Sequence, residues 1–230
     1  MKNRKKDRPK QIIGKIALYA GFVILCTVSA LLLLLSRAPA MYRRAIPDNP
    51  NQVSPYLTDT LAPDFYNKLQ FGRPFTLTIE QTGLNDILAR LPLPSDDGIS
   101  LHAPAAAFTE KAVFLMATVK KNKYSAVAAV SFQPAIDSTG QLRLNFKSVK
   151  LGALPATSLA KKILSQNAKS LQSLYCDLVP IEQILAAIID NRPIDPVFTL
   201  DKQTFRLADI KLSKDEIRLT LNPENNVSKP

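Results

Sequence analysis

Histidine and glycine are scarce in this chain, and their scarcity limits the chemistry it can support. His102 is the only histidine, so a zinc site of histidine and cysteine is excluded, and a Ser–His–Asp triad would depend on this one residue. The seven glycines form no P-loop or GxGxxG motif of the kind that cradles phosphates. The carboxylates lack a spacing typical of a glycosidase pair. We therefore expect no enzymatic activity, no metal and no cofactor.

The two cysteines are placed where they cannot pair within one folded domain. Cys26 lies in a long apolar run, and Cys176 stands alone in the rest of the chain. Cys176 is expected to pack as a small apolar residue, with a nucleophile or an intermolecular disulfide as the alternatives. The domain must then be held by its hydrophobic core, for which about 186 residues are ample.

Acidic residues are almost absent from the first 44 positions. Residues 1–44 contain ten Lys or Arg and one Asp, a net charge of +9, whereas residues 45–230 contain twenty Lys or Arg and eighteen Asp or Glu, a net +2. The excess charge therefore belongs to an N-terminal flank. A basic arm can bind nucleic acid, but the apolar run that follows this one indicates another role, and we expect no nucleic-acid partner.

Charge of either sign is absent between Lys15 and Arg37, where the chain reads IALYAGFVILCTVSALLLLLS. As a helix this run would extend over about 32 Å, close to the ~30 Å hydrocarbon core of a bilayer. Seven Lys or Arg precede it and three follow closely, and positively charged flanks stay in the cytoplasm. We therefore predict a cytoplasmic flank over 1–15, a transmembrane helix over 16–36, and a single-pass cell-membrane protein whose C-terminal domain is extracytoplasmic.

A cleaved signal peptide is the alternative to this retained anchor. Ala38-Pro39-Ala40 has the small-x-small form of a cleavage site. However, the apolar run exceeds the roughly 7–15 residues of a signal-peptide core, and Arg37 lies directly before the site. We favour the anchor.

Prolines and hydrophobic periodicity divide the remaining chain. Six prolines between residues 38 and 74 predict a stiff, extended spacer over 37–74, with a short helix near Phe65–Leu69, that keeps the domain clear of the headgroups. Alternating and helical patterns then follow in the order β-α, antiparallel β, α-α and β, with the two later helices beginning near Thr157 and Pro180. This order predicts one α+β domain over 75–222, with two or three helices packed on one antiparallel sheet, and a C-terminal tail over 223–230.

The segment LGALP joins the strand that begins at Leu142 to the helix predicted after it. Gly152 permits a backbone conformation that other residues resist. Pro155 is expected to end the strand and preset the start of the helix. We interpret Gly152 and Pro155 as a structural corner.

Two longer phrases, TLTIEQTGLNDIL (Thr76–Leu88) and GQLRLNFKSVKLGALPATSLAKKIL (Gly140–Leu164), resemble the YpmS family. These are small proteins with one N-terminal membrane helix and an exported α+β domain. Proteins of that build are similar to tubular lipid-binding (TULIP-like) domains, in which a curved antiparallel sheet wraps a long helix around an apolar groove. The resemblance implies a curved sheet and lipid binding, and it carries no catalytic signature.

The strand AVFLMATV is apolar on both faces, which suits a sheet covered on its second side. We therefore predict an apolar groove that takes up a membrane lipid or another apolar envelope molecule, lined by Phe114, Phe132, Leu144, Phe146 and Ile163. The alternative is a protein-interaction module that tethers or regulates an envelope complex. An open groove favours the first function, and a filled core with a flat apolar patch favours the second.

The anchor is tested by a fusion after Pro230 to a reporter that is active only outside the cytoplasm. We expect the reporter to be active and the full-length chain to stay in the membrane pellet. Release of a soluble fragment that begins at Met41 would show that the chain is cut after Ala40 and would contradict the anchor.

Overall fold

The computed structural model describes residues 8–91, 93, 95–96, 98–158, 192–200 and 202–224. Its helical elements are α1 (Arg8–Ser36), a π-helical turn (Tyr56–Leu61) that continues into α2 (Ala62–Leu69), and α3 (Gln81–Leu88). Its strands are β1 (Phe75–Glu80), β2 (Ser95–Asp96), β3 (Ile99–Phe108), β4 (Val113–Lys121), β5 (Tyr124–Ile136), β6 (Leu142–Leu151), β7 (Leu154–Pro155), β8 (Val197–Leu200), β9 (Gln203–Ser213) and β10 (Glu216–Glu224).

Helix α1 contains the long uncharged run. Its segment Tyr19–Ser36 has a mean hydropathy of 2.3, and none of that segment is buried. By length and composition this helix is able to cross a membrane, and it is the one such helix among the described residues. Exposing so much apolar surface to water is unfavourable, so the segment is a candidate for a single-pass anchor.

The strands form two antiparallel sheets. The smaller sheet has the order β1-β10-β9-β8, and the larger has the order β2-β3-β4-β5-β6-β7. The predicted α+β class is confirmed, but the strands do not form the single sheet that we expected, because β1 pairs with the last strand, β10, with Phe75 opposite Leu221. Almost all of the region predicted as two further helices, Thr157–Ile189, lies outside the described residues.

Aromatic side chains hold α2 against the smaller sheet. Phe65, Phe75 and Phe205 are buried and meet edge to face, with ring centroids 5.5 to 6.4 Å apart. Such pairs contribute about 0.5–1.5 kcal/mol beyond the burial of their area. Phe65 belongs to the segment 37–74, which we expected to be an extended spacer. The end of that segment instead folds with the domain, because α2 offers an apolar side chain to the core.

A second cluster joins the two sheets. Its buried centre comes from β3 and β4, and its surrounding side chains come from α3, β5, β9 and β10. The central residues are Ala106, Phe108 and Val113, and the surrounding ones are Leu84, Leu88, Phe132, Leu212 and Ile217. The small sheet therefore packs against one end of the larger sheet.

Helix α3 is bound to the open edge of β3 by two side-chain amides. Asn85 is buried, its Nδ2 donates to the Ala106 carbonyl at 3.0 Å, and its Oδ1 accepts from the Ala106 amide at 2.6 Å. Gln81 Oε1 accepts from the Phe108 amide at 2.7 Å. Strand β2 covers only the first two residues of β3, so these amides satisfy backbone groups that an edge strand would otherwise leave unpaired.

We expect Asn85→Ala to lower the free energy of unfolding by about 1–3 kcal/mol, because it leaves the buried N–H and C=O of Ala106 without partners. Asn67→Ala is the matched control: Asn67 is an exposed residue of α2, and its loss should change stability by less than about 0.5 kcal/mol. Urea unfolding of the detergent-solubilised chain, followed by circular dichroism, measures both. Equal changes in the free energy of unfolding in the two variants would show that the hydrogen bonds of Asn85 do not hold α3 in place.

Candidate functional site

The C-terminal end of α1 contacts the turn between β6 and β7. The Ala153 amide donates to the Leu34 carbonyl at 2.8 Å, and the Gly152 amide donates to the Val127 carbonyl of β5 at 2.7 Å. The last carbonyls of a helix have no partner inside it, so the turn satisfies one of them. We call Gly152–Ala153 the docking turn.

Glycine is required in the docking turn for two reasons. Gly152 has a φ of +61°, in the left-handed region that side chains resist. A Cβ atom at this position would also overlap the backbone carbonyl oxygens of Leu34 and Leu35. The close approach of helix and hairpin therefore depends on the missing side chain.

Pro155 ends the short strand β7, two residues before the helical residues Thr157 and Ser158. It lies in the short strand β7, opposite Lys150 of β6, so LGALP forms a tight hairpin within the described residues. Proline is tolerated there because a short edge strand does not need every amide. The hydroxyl of Thr157 bonds to Val149: it accepts from the amide at 3.0 Å and donates to the carbonyl at 3.3 Å.

A pocket of about 430 Å³ lies beside the docking turn, between α1 and the larger sheet. One wall comes from the last turns of α1, and the other comes from β6 and from the hairpin of β4 and β5. We call it the α1 pocket. Its lining residues are Leu32, Leu35, Ser36, Val119, Lys121, Lys123, Tyr124, Ser125, Ala126 and Leu151. The walls are mainly apolar; Lys121, Lys123, Tyr124 and Ser125 lie at the hairpin end, and Ser36 lies at the end of α1.

The register of the larger sheet divides the predicted groove residues between its two faces. Phe132 is opposite Phe146, and Leu144 is opposite Pro134 two residues along β5, so Phe132, Leu144 and Phe146 share one face. Val119, Ala126 and Leu151 of the α1 pocket alternate onto that face as well. We call it the Phe132 face.

Phe114 does not lie on the Phe132 face. Its neighbour Val113 is opposite Phe132, so Phe114 points to the other face, where it packs against the cluster of Ala107, Met116, Val127 and Ala129. Ile163 lies outside the described residues. Of the five predicted groove residues, three share one face of the sheet, and one of these three, Phe132, packs in the core cluster that joins the two sheets.

The chain that follows α1 is tied to the face opposite Phe132. The Tyr42 hydroxyl donates to the Ala103 carbonyl at 2.7 Å and lies 2.9 Å from the Thr118 hydroxyl. The ring packs against the cluster around Met116. This segment therefore does not hold the domain away from the helix end, as an extended spacer would.

The tip of the β4–β5 hairpin is basic. Lys120, Lys121 and Lys123 are exposed there, and Tyr124 is 76% exposed. None of the ion pairs formed among the described residues involves these three lysines. The α1 pocket therefore has a positively charged rim.

Titratable groups with shifted pKa values lie away from this pocket. A hydrogen bond from Ser54 and, to a smaller extent, one from Arg90 lower the pKa of Asp86. Hydrogen bonds from Thr139 and Arg143 lower the pKa of Asp137. Both carboxylates fix local structure. His102 is exposed, with its Nε2 2.7 Å from the Ser100 hydroxyl. Over the described part of the chain, no group of three His, Cys, Asp or Glu side chains is arranged to hold a metal ion.

Sequence reasoning identified Gly152 but not its partner, since the contact joins two segments far apart in the chain. A glycine between a strand and a proline signals a tight turn, but it does not indicate what approaches that turn. Compared with models of known protein families and with curated protein sequences, the chain gives no significant match.

The docking turn is tested by comparing Gly152→Ala with Gly140→Ala. Both glycines have positive φ, but a Cβ at Gly140 would meet nothing within 4 Å. Each change costs on the order of 1 kcal/mol in backbone strain, and only Gly152→Ala should separate α1 from the hairpin. Hydrogen exchange of the Ala153 amide should accelerate in Gly152→Ala alone. Unchanged exchange at Ala153 would contradict the helix contact.

Proposed function

We propose that the protein is anchored in the cell membrane by α1 and binds a lipid or another apolar envelope molecule without catalysis. The observation that carries this proposal is the α1 pocket, because one of its walls belongs to the candidate membrane helix itself. A ligand in the pocket would touch both the anchor and the folded domain.

The size and lining of the α1 pocket support an apolar ligand. Its volume of about 430 Å³ falls within the roughly 300–1,000 Å³ of most small-molecule sites, which are largely apolar with a few polar groups. Leu32, Leu35, Val119 and Leu151 supply hydrocarbon on both sides. Each buried CH₂ group contributes about 0.8 kcal/mol, so a few carbons are enough for reversible capture.

The position of the pocket supports direct uptake from a bilayer. The apolar segment of α1 ends at Ser36, and the pocket is lined by Ser36, Leu35 and Leu32. At about 1.5 Å per residue, these three lie within ~6 Å along the helix axis. If α1 spans the membrane, the pocket opens where the hydrocarbon meets the headgroups, and an acyl chain can enter it with little exposure to water.

The Phe132 face gives the pocket a continuation. Phe132, Leu144 and Phe146 lie on the same side of the sheet as Val119 and Leu151. Leu115, also on this face, is 44% exposed. We propose that the part of this face beside α1 forms the floor of the apolar groove, which ends where Phe132 packs into the core around Phe108 and Val113, and that the sheet curves around its ligand as in TULIP-like domains of the YpmS kind.

The flanking charges favour one orientation. Seven Lys or Arg precede the uncharged run and three follow closely, which places the N-terminus in the cytoplasm. The two sheets and the α1 pocket are then extracytoplasmic, and the pocket meets the outer surface of the cell membrane.

The proposal predicts that Ala126→Phe, which fills the pocket with a larger apolar side chain, weakens binding of a fluorescent fatty acid at least tenfold. Ala135→Phe is the matched control, because Ala135 lies on the same strand but on the other face. Both full-length variants are compared with the wild type in detergent, by fatty-acid titration and by thermal melting.

Three possible results distinguish lipid binding in the α1 pocket from lipid binding elsewhere and from no lipid binding. Weakened binding in Ala126→Phe alone, with melting temperatures unchanged, supports the α1 pocket. Equal binding by all three proteins would show that the lipid sits elsewhere. A wild type that neither binds the fatty acid nor co-purifies with lipid in native mass spectrometry would contradict lipid binding and favour an interaction module for an envelope protein partner.

A further inference from the structure

The rim of the α1 pocket carries charge that an apolar ligand would not use. Lys121 and Lys123 line the pocket together with Leu35 and Leu151. A site with cations at its mouth and hydrocarbon along its walls matches a molecule with an anionic head and an apolar tail. A free phosphate ion would leave the apolar walls unused, and a neutral lipid would leave the lysines unused.

These lysines are available to a ligand. Both are exposed residues of a hairpin closed by the two-residue turn Asn122–Lys123. No carboxylate of the described residues forms an ion pair with either of them. Among the described residues, their ammonium groups therefore have no counter-charge, and an anion from outside the chain can take that place.

The neighbouring side chains fit the headgroup region of a bilayer. Tyr124 follows the turn and is 76% exposed, and tyrosine is enriched at membrane–water interfaces because it has an apolar ring and a polar tip. Arg37, Arg43 and Arg44 are also exposed just beyond the end of α1. Lysines and arginines near an anionic surface each contribute about 1 kcal/mol of attraction.

We infer that the α1 pocket binds a phospholipid of net negative charge, with its anionic headgroup between Lys121 and Lys123 and an acyl chain along Leu35, Val119 and Leu151. This inference rests on the proposed function and names its ligand class. The lipid comes from the leaflet at the C-terminal end of α1, because the same pocket contains both the lysines and Ser36, where the apolar run ends.

The test titrates the full-length chain, in a neutral detergent, with phosphatidylglycerol and with phosphatidylcholine of identical acyl chains, using native mass spectrometry. The wild type should bind phosphatidylglycerol about 30-fold more tightly, which is the equivalent of about 1 kcal/mol for each of two lysines. Lys121→Gln/Lys123→Gln should remove this preference and leave phosphatidylcholine binding unchanged. Lys121→Arg/Lys123→Arg should retain it.

Lys111→Gln/Lys214→Gln is the charge-matched control, since both lysines are exposed at the opposite end of β4 from the hairpin tip. It should keep the wild-type preference. Equal affinity of the wild type for the two lipids would overturn the headgroup inference and leave the proposed function intact. Failure to bind either lipid would overturn both. Loss of phosphatidylcholine binding in the Gln variant would also overturn the inference, because the lysines would then shape the pocket and not select by charge.

Discussion

The hydrogen bond from the Ala153 amide to the Leu34 carbonyl is the contact on which the candidate site depends. It joins the C-terminal end of α1 to the backbone of the hairpin of β6 and β7. This contact is possible only because Gly152 has no side chain that would overlap the backbone of α1. The contact fixes the larger sheet against α1. The α1 pocket exists because this junction brings the helix wall and the sheet wall close together without filling the space beside them.

This junction also connects the candidate membrane helix to the rest of the fold. The larger sheet is held to α1 at the docking turn and to the segment after α1 through Tyr42. Its other end packs on α3 and the smaller sheet around Phe108. The two ends of the larger sheet therefore differ. One end is part of a closed core, and the other leaves an apolar face and a basic rim beside α1. The ligand site proposed at the second end needs no catalytic groups, since shape, hydrocarbon and charge are sufficient for capture.

Local patterns predicted the parts of the fold that depend on neighbouring residues. The uncharged run gave the position of α1, alternation gave strands such as β1 and β6, and the composition of LGALP indicated a turn at Gly152. The division into two sheets was not predicted, because the pairing of Phe75 with Leu221 is a long-range choice that alternation does not encode. For the same reason, Phe114 was assigned to the groove although register places it on the other face. The short helix around Phe65 was predicted, but the burial of Phe65 was not, because the prolines of its segment indicated a spacer that stands apart from the domain.

If α1 is a membrane anchor, the hairpin tip lies at the membrane surface beside the C-terminal end of α1. The chain contains no tryptophan, so Tyr124→Trp and Lys111→Trp each introduce a single fluorescent probe, one at the tip and one at the far end of β4. In vesicles that contain lipids with nitroxide-labelled headgroups, we expect strong quenching of the probe at position 124 and little quenching of the probe at position 111. Equal and weak quenching of both probes would show that the domain stands away from the membrane and would contradict the account.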